Sequence, residues 1–143
     1  MSKIITIACD HAGYDLKDAL KREILNMGFE VIDCGTNSSE SVDYPDFAKL
    51  AVDNILKKKS DIAVLICGSG IGMSITANRF NGIRAALCRN ANDAKLARQH
   101  NNANILALAG RQIDVDEAKN CFKIFINTSF DGGRHQKRVE KID

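Results

Sequence analysis

The chain has 143 residues, 45% of them hydrophobic and 27% charged, and a formal net charge of +2. This length suffices for one domain that buries about two-thirds of the surface of the unfolded chain. The mild charge argues against a nucleic-acid partner, and the absence of an apolar run of about 18 residues argues against a membrane span. The N-terminal stretch shows no export-signal pattern, so we expect a cytoplasmic protein.

Short β-branched or apolar runs predict five strands, at 4–8, 30–33, 62–67, 84–88 and 105–109. Helical periodicity fills the intervals, and a glycine at position 28 marks a helix stop. Apolar stripes predict the buried faces of the first, second and fifth helices, formed by Leu16, Ala19, Leu20, Ile24 and Met27, by Phe47, Leu50, Ala51 and Ile55, and by Val115, Ala118, Phe122 and Phe125. A third helix is expected to open near Gly72, and a fourth to cover 92–99 with Asn90 or Asn92 as its cap.

This alternation predicts an α/β fold, with one domain over residues 1–143 and a five-stranded parallel sheet. The last segment, 131–143, is too polar for the core. It is expected to be either a frayed end or a short arm that reaches a second subunit. On such an arm, Arg134 and Arg138 would share one helix face and could clamp a phosphate, although a solvated pair is the ordinary alternative.

The five cysteines are scattered, and none forms a Cys-x-x-Cys pair. Free thiols in a reducing compartment, without a metal site or another cofactor, are therefore expected. Cys67 differs from the others because it ends an apolar strand and begins the glycine loop CGSGIG at 67–72. It is either a buried structural thiol or, beside a helix N-terminus, a thiolate that acts as base or nucleophile.

Ligands of open parallel sheets bind at the carboxyl ends of the strands, which places the polar residues after strands one, two, three and five at one edge. In the glycine loop, Gly68, Gly70 and Gly72 allow backbone N–H groups to converge on an anion, although glycines can also serve only a tight turn. Ser69 offers a hydroxyl there. The spacing of the three histidines gives no metal-ligand pair, which favours acid–base or phosphate-contact roles.

Six motifs together carry a family resemblance: CDHAG at 9–13, DYP at 43–45, ICGSGIG at 66–72, GIRA at 82–85, RQHN at 98–101 and GGRHQ at 132–136. The set closely resembles type B ribose-5-phosphate isomerases, in the group that also holds galactose-6-phosphate isomerase subunits. The resemblance implies a Rossmann-like three-layer α/β/α sandwich. It also implies a homodimer or dimer of dimers with sites at the interface, and metal-free interconversion of aldose and ketose phosphates.

The resemblance also implies roles for individual residues. Cys67 would move the proton between C1 and C2, the backbone from Gly68 through Gly70 and Ile71 to Gly72 would bind the enediolate oxygen, and Ser69 would shuttle the hydroxyl proton. His100, with Asp43, would open the furanose ring. The remaining implied contacts are Asp10 and Asn101 to sugar hydroxyls, Tyr44 to the pocket wall, and His11, Arg111, Arg134 and Arg138 to the phosphate.

Another branch of the family has a glutamate base at the place of Met73, so the thiolate branch applies to this chain. Three other readings stay open at this point. The substrate could be a six-carbon aldose phosphate such as allose or galactose 6-phosphate, because the same machinery would serve it. The chain could be a non-catalytic sugar-phosphate-binding subunit, or a thiol enzyme with a covalent intermediate, although no resolving cysteine lies near Cys67.

Overall fold

The computed structural model describes residues 3–143. Five strands form one parallel sheet in the order β2-β1-β3-β5-β4. The strands are β1 Ile4–Cys9, β2 Glu30–Asp33, β3 Ile62–Cys67, β4 Ala85–Leu87 and β5 Ile105–Ala109. The helices are α1 Tyr14–Asn26, α2 Tyr44–Leu56, α3 Ile71–Ala77, α4 Ala91–Asn101, α5 Val115–Asn127 and α6 Arg134–Glu140, and a 3₁₀ turn covers His11–Gly13.

The helices cover both faces of the sheet. Residues of α1, α4 and α5 pack in one cluster around Phe122 and Phe125, and residues of α2 and α3 pack in a second cluster on the opposite face. Successive residues of β3 belong to alternate clusters, as the two-residue period of a strand requires, and every residue of β3 is buried. The predicted three-layer α/β/α fold is confirmed.

The boundaries differ from the predictions by one or two residues. Strand β4 is shorter by one residue at each end, whereas α4 extends beyond its predicted range at both ends. The side chain of Asn90 accepts a hydrogen bond from the N–H of Asp93 at 2.8 Å, so Asn90 is the cap of α4. Gly28 lies just beyond the end of α1 with a φ of +92°, as a helix stop requires.

The apolar stripes are largely confirmed, but two members are wrong. Leu50 is 51% exposed and Val115 is 40% exposed, although both have helical spacing with buried neighbours. Leu50 lies beside the buried face of α2, and Val115 is the first residue of α5. Lys17 was not predicted to be buried, yet its relative exposure is only 3%.

Burial of Lys17 is compensated by an ion pair. Its Nζ lies 3.0 Å from Asp33 Oδ2 and donates to the carbonyl of Thr36 at 2.9 Å. Burial acts to raise the pKa of Asp33. Hydrogen bonds from Lys17, from the Gly35 N–H and from Lys21 outweigh it and lower that pKa below its usual value. This pair fixes α1 against the loop that follows β2.

The polar C-terminal segment is a helix rather than a frayed end. Helix α6 has no buried residue, which agrees with its exclusion from the core. The N–H of Asp131 donates to the carbonyl of Gln99 at 3.0 Å and so attaches this segment to the end of α4. Within residues 3–143, no helix has both the length and the hydropathy needed to cross a bilayer.

Candidate active site

A cavity of about 590 Å³ lies at the carboxyl edge of the sheet, beside the last residue of β3. It brings together most of the residues predicted for this edge, because parallel strands deliver their following loops to the same side. The predicted site residues that line it are Asp10, His11, Tyr44, Cys67, Gly68, Ser69, Ile71, Gly72 and Arg111.

The glycine loop between β3 and α3 has little room for side chains. Gly70 has a φ of +73°, and a Cβ there would lie 2.5 Å from Leu87 Cδ1. A Cβ on Gly72 would lie 2.5 Å from the ring of Tyr44. Ser69 Oγ accepts the N–H of Ile71 at 3.2 Å. The described residues supply no acceptor for the N–H groups of Gly68 and Ser69, so these donors are available to an anion.

Cys67 combines burial with access to this cavity. It is 4% exposed at the end of β3, and its carbonyl accepts the N–H of Gly110 at 2.8 Å, which fixes the strand end. Burial raises the pKa of three other thiols to about 12 and keeps them protonated at neutral pH; these are Cys9, Cys88 and Cys121. Met73 is fully buried in the core.

Asp10 and His11 are fixed by the backbone around them. Asp10 is 6% exposed, and its Oδ1 accepts the N–H groups of Ala12 at 3.0 Å and Gly13 at 3.2 Å. One carboxylate oxygen therefore caps the 3₁₀ turn and leaves the other for a ligand. His11 Nδ1 accepts the N–H of Val42 at 3.2 Å. The neutral ring consequently carries its proton on Nε2, which can donate to a substrate oxygen.

Arg111 brings a positive charge to the loop. Its N–H donates to the carbonyl of Gly68 at 3.1 Å. Its side chain lies over the same glycine, since a Cβ on Gly68 would be 3.4 Å from both Cδ and Nη1 of Arg111. A guanidinium beside free backbone donors is suited to a phosphate or another oxyanion.

Besides Gly70, which belongs to the glycine loop itself, five predicted residues do not line this cavity: Asp43, His100, Asn101, Arg134 and Arg138. Asp43 is exposed at the N-cap of α2 and makes no side-chain capping bond. The other four lie at the end of α4 or on α6. Because α4 leaves the carboxyl end of β4 and returns to the start of β5, its last residues lie at the opposite edge of the sheet. One chain therefore holds the predicted site in two parts.

His100 and His135 stack face to face in the second part, with ring centroids 4.4 Å apart and an angle of 13° between the planes. Partial desolvation and the charges of His100, Arg134 and Arg138 lower the pKa of His135, while Asp131 raises it. Ligand atoms of His100, Asp131 and His135 lie within 4.8 Å of one another. Nearly parallel rings keep their lone pairs in separate planes, so this arrangement does not converge on a metal ion.

A second cavity, of about 550 Å³, runs beside β4, the outermost strand, and connects the two parts of the predicted site. It shares Ser69 and Ile71 with the first and passes β4 to reach Leu96 and Asn101. Large apolar side chains are exposed along the two cavities: Ile71, which lines both, is 52% exposed, Ile75 in the first is 61% exposed, and Leu96 in the second is 39% exposed. Such a grouping of apolar side chains is typical of an interaction surface.

The sequence analysis missed Gln112, which lines both cavities. Its position directly after Arg111, at the carboxyl end of β5, is the signal that could have identified it. An exposed amide at this place can donate to or accept from a sugar hydroxyl.

The fold and the residues at the carboxyl ends of its strands define an α/β enzyme with an anion-binding loop. Comparison with known proteins identifies the family. The family model described as Ribose/Galactose Isomerase matches residues 5–142. The chain belongs to this family, and it is a sugar-phosphate isomerase. The predictions of its family, its fold and its class of enzyme are thus confirmed.

Similar proteins match over nearly their whole length. Ribose-5-phosphate isomerase B of Escherichia coli K12 is 43% identical over 140 residues, which cover 98% of this chain and 94% of that protein. The crystal structure of a ribose 5-phosphate isomerase from Thermotoga maritima has 54% identity, covers 98% of this chain and 97% of its own, and has a TM-score of 0.97. The Mycoplasma genitalium ribose-5-phosphate isomerase B with bound ribulose-5-phosphate has 41% identity, covers 97% and 93%, and has a TM-score of 0.93.

Proposed function

We propose that this isomerase interconverts ribose 5-phosphate and ribulose 5-phosphate through an enediolate, without a metal ion. The observation that carries the proposal is the placement of Cys67 at the mouth of a loop with free backbone N–H donors. The similar Mycoplasma genitalium structure with bound ribulose-5-phosphate supports this substrate class. The reaction would belong to the pentose phosphate pathway, and we propose the cytoplasm as its location.

In the proposed mechanism, the Cys67 thiolate removes the proton from C2 of the open-chain aldose and returns it to C1. Negative charge develops on the carbonyl oxygen, where the loop N–H groups of Gly68 to Gly72 stabilise it. Removal of one such donor typically costs about 10² to 10³ in rate. Ser69 transfers the hydroxyl proton between the two oxygens, for which its Oγ keeps its own hydrogen while it accepts from Ile71.

The substrate would be bound at both ends. Asp10 and Asn101 contact sugar hydroxyls, and Tyr44 closes the wall beside Gly72. His100, with Asp43, opens the furanose ring. The phosphate is bound by His11 through its Nε2–H and by Arg111, together with Arg134 and Arg138.

We further propose that two copies of the chain assemble as a homodimer, alone or as a dimer of dimers. In each dimer, α4 and α6 of one subunit complete the cavity of the other. The division of the site residues between opposite edges of the sheet in one chain supports this proposal. The exposed apolar side chains along the connecting cavity are suited to the contact.

The first experiment measures conversion of ribose 5-phosphate to ribulose 5-phosphate with and without a metal chelator. We expect turnover that the chelator spares and that Cys67→Ala abolishes. Cys34→Ala is the matched control, because Cys34 is a thiol outside the cavity lining. Faster turnover of allose 6-phosphate would show a six-carbon substrate, and equal turnover by Cys67→Ala would show that another group is the base.

The second experiment tests the shared site by mixing Cys67→Ala, which we expect to be inactive, with His100→Asn, which we expect to keep only a small residual turnover of ribose 5-phosphate. After subunit exchange, half of the dimers are mixed and each has one intact site, so about a quarter of wild-type activity should return. If each site belonged to a single chain, every site would keep one lesion and the mixture would show no more than the residual turnover of His100→Asn.

A further inference from the structure

The end of α4, which carries His100 and Asn101, is held by two arginine side chains. Arg84 Nε donates to the carbonyls of Asn101 at 3.0 Å and Asn102 at 3.1 Å, and its Nη2 donates to Asn102 O at 2.9 Å. Arg98 Nη1 donates to the carbonyl of Ala103 at 2.6 Å and to Asn102 Oδ1 at 3.0 Å. Together these two side chains contact three successive carbonyls after His100.

This arrangement suits the charge of a helix end. The last carbonyls of a helix lack intrahelical partners and carry partial negative charge, which a cation stabilises. The planar guanidinium can bridge neighbouring carbonyls, whereas a lysine ammonium supplies one compact charge. Asn102 has a φ of +47°, so the chain turns sharply where Arg84 contacts it. Burial and the charge of Arg84 lower the pKa of Arg98.

The same contacts attach neighbouring segments. The N–H of Arg84 donates to Asn104 Oδ1 at 2.9 Å, so the loop after α4 is joined to the start of β4. Arg98 Nε donates to the carbonyl of Thr128 at 3.2 Å, just after α5. The arginines therefore link the end of α4 to the start of β4 and to the end of α5, and neither contact lies in the cavity beside Cys67.

We propose that Arg84 and Arg98 are positioning residues for ring opening, which act by fixing the orientation of His100. The proposal rests on the proposed function and on the ring-opening role of His100. It predicts a selective defect. Ribose 5-phosphate is mostly a furanose and must be opened, whereas ribulose 5-phosphate has its carbonyl at C2 and its 5-hydroxyl esterified, and so forms no furanose ring.

The test compares two reactions of the Arg84→Gln variant. The first is turnover of ribose 5-phosphate, and the second is solvent deuterium exchange at C1 of saturating ribulose 5-phosphate. A displacement of about 1 Å can cost up to about 10² in rate, so we expect a tenfold to hundredfold loss of turnover. Exchange needs no ring opening and should change by less than about twofold. Arg22→Gln, at an exposed arginine with one ion pair to Asp18, is the control.

A double-variant cycle separates positioning from general loss of structure. Adding Arg84→Gln to His100→Asn should leave the residual ribose 5-phosphate turnover of His100→Asn unchanged. Arg84→Lys, which keeps the charge and makes fewer bonds, should be intermediate and covers the case in which the glutamine variant does not fold. Equal loss in both reactions, unchanged turnover, or additive losses would overturn the proposal. Wild-type protein that catalyses neither reaction would instead refute the proposed function.

Discussion

Gly70→Ala tests whether the anion-binding loop depends on the absence of a side chain. The residue has a φ of +73°, which costs about 1 kcal/mol for a residue with a Cβ. The added Cβ would also lie 2.5 Å from Leu87 Cδ1 and 3.0 Å from the backbone carbonyl of Leu108. Overpacking of this kind adds about 1–3 kcal/mol, so the total loss of unfolding free energy should be about 3 kcal/mol.

Gly82→Ala is the matched control for this prediction. Gly82 has a φ of +85°, but the nearest atom to a Cβ there is Leu56 Cδ2 at 3.8 Å. Only the backbone cost of about 1 kcal/mol applies. In urea unfolding at fixed protein concentration, with a slope of about 2 kcal/mol/M, the two variants should differ in midpoint by about 1 M. Equal midpoints would refute the packing argument.

Three further predictions concern stability and thiol chemistry. Asp33→Asn should destabilise the protein at pH 7. The difference in unfolding free energy from wild type should shrink as the pH falls through the folded-state pKa of Asp33, because Lys17 lowers that pKa only in the folded state. A constant difference between pH 7 and pH 3 would contradict this. Thr6→Val removes the 2.7 Å partner of the buried Ser60 hydroxyl and should cost about 1–3 kcal/mol in urea unfolding; a cost near zero would show that Ser60 finds another partner. Burial raises the pKa of three thiols to about 12, so alkylation of the native protein at pH 7 should leave them unmodified in mass spectrometry; these are Cys9, Cys88 and Cys121. Labelling of these thiols as fast as in urea would refute this prediction.

Local patterns predicted the buried strands well, because β3 and β5 are apolar on both faces and such runs are typical of a covered parallel sheet. The same patterns failed at two helix positions. Leu50 and Val115 have the spacing of buried residues and are exposed, because Leu50 lies beside the buried face of α2 and Val115 is the first residue of α5. Helical periodicity does not show where the packed surface of a helix begins and ends.

Burial of Lys17 is a second limit of local patterns. A lysine in an amphipathic helix is ordinarily solvated, and here it is buried because Asp33, 16 residues away, meets it across the layer boundary. The residues of that pair are visible in the sequence, but their contact arises only when α1 packs on β1 and β2.

Neighbouring residues and the common direction of parallel strands were enough to predict the α/β alternation, the glycine loop after β3 and the polar residues after four of the strands. The division of the site residues depends on tertiary packing. Cys67 lies at the carboxyl edge, whereas His100 stacks on His135 at the other edge, and Arg84 donates to the carbonyl of Asn101 at the end of α4. These contacts join segments that are distant in sequence, so they depend on layer packing rather than on local spacing.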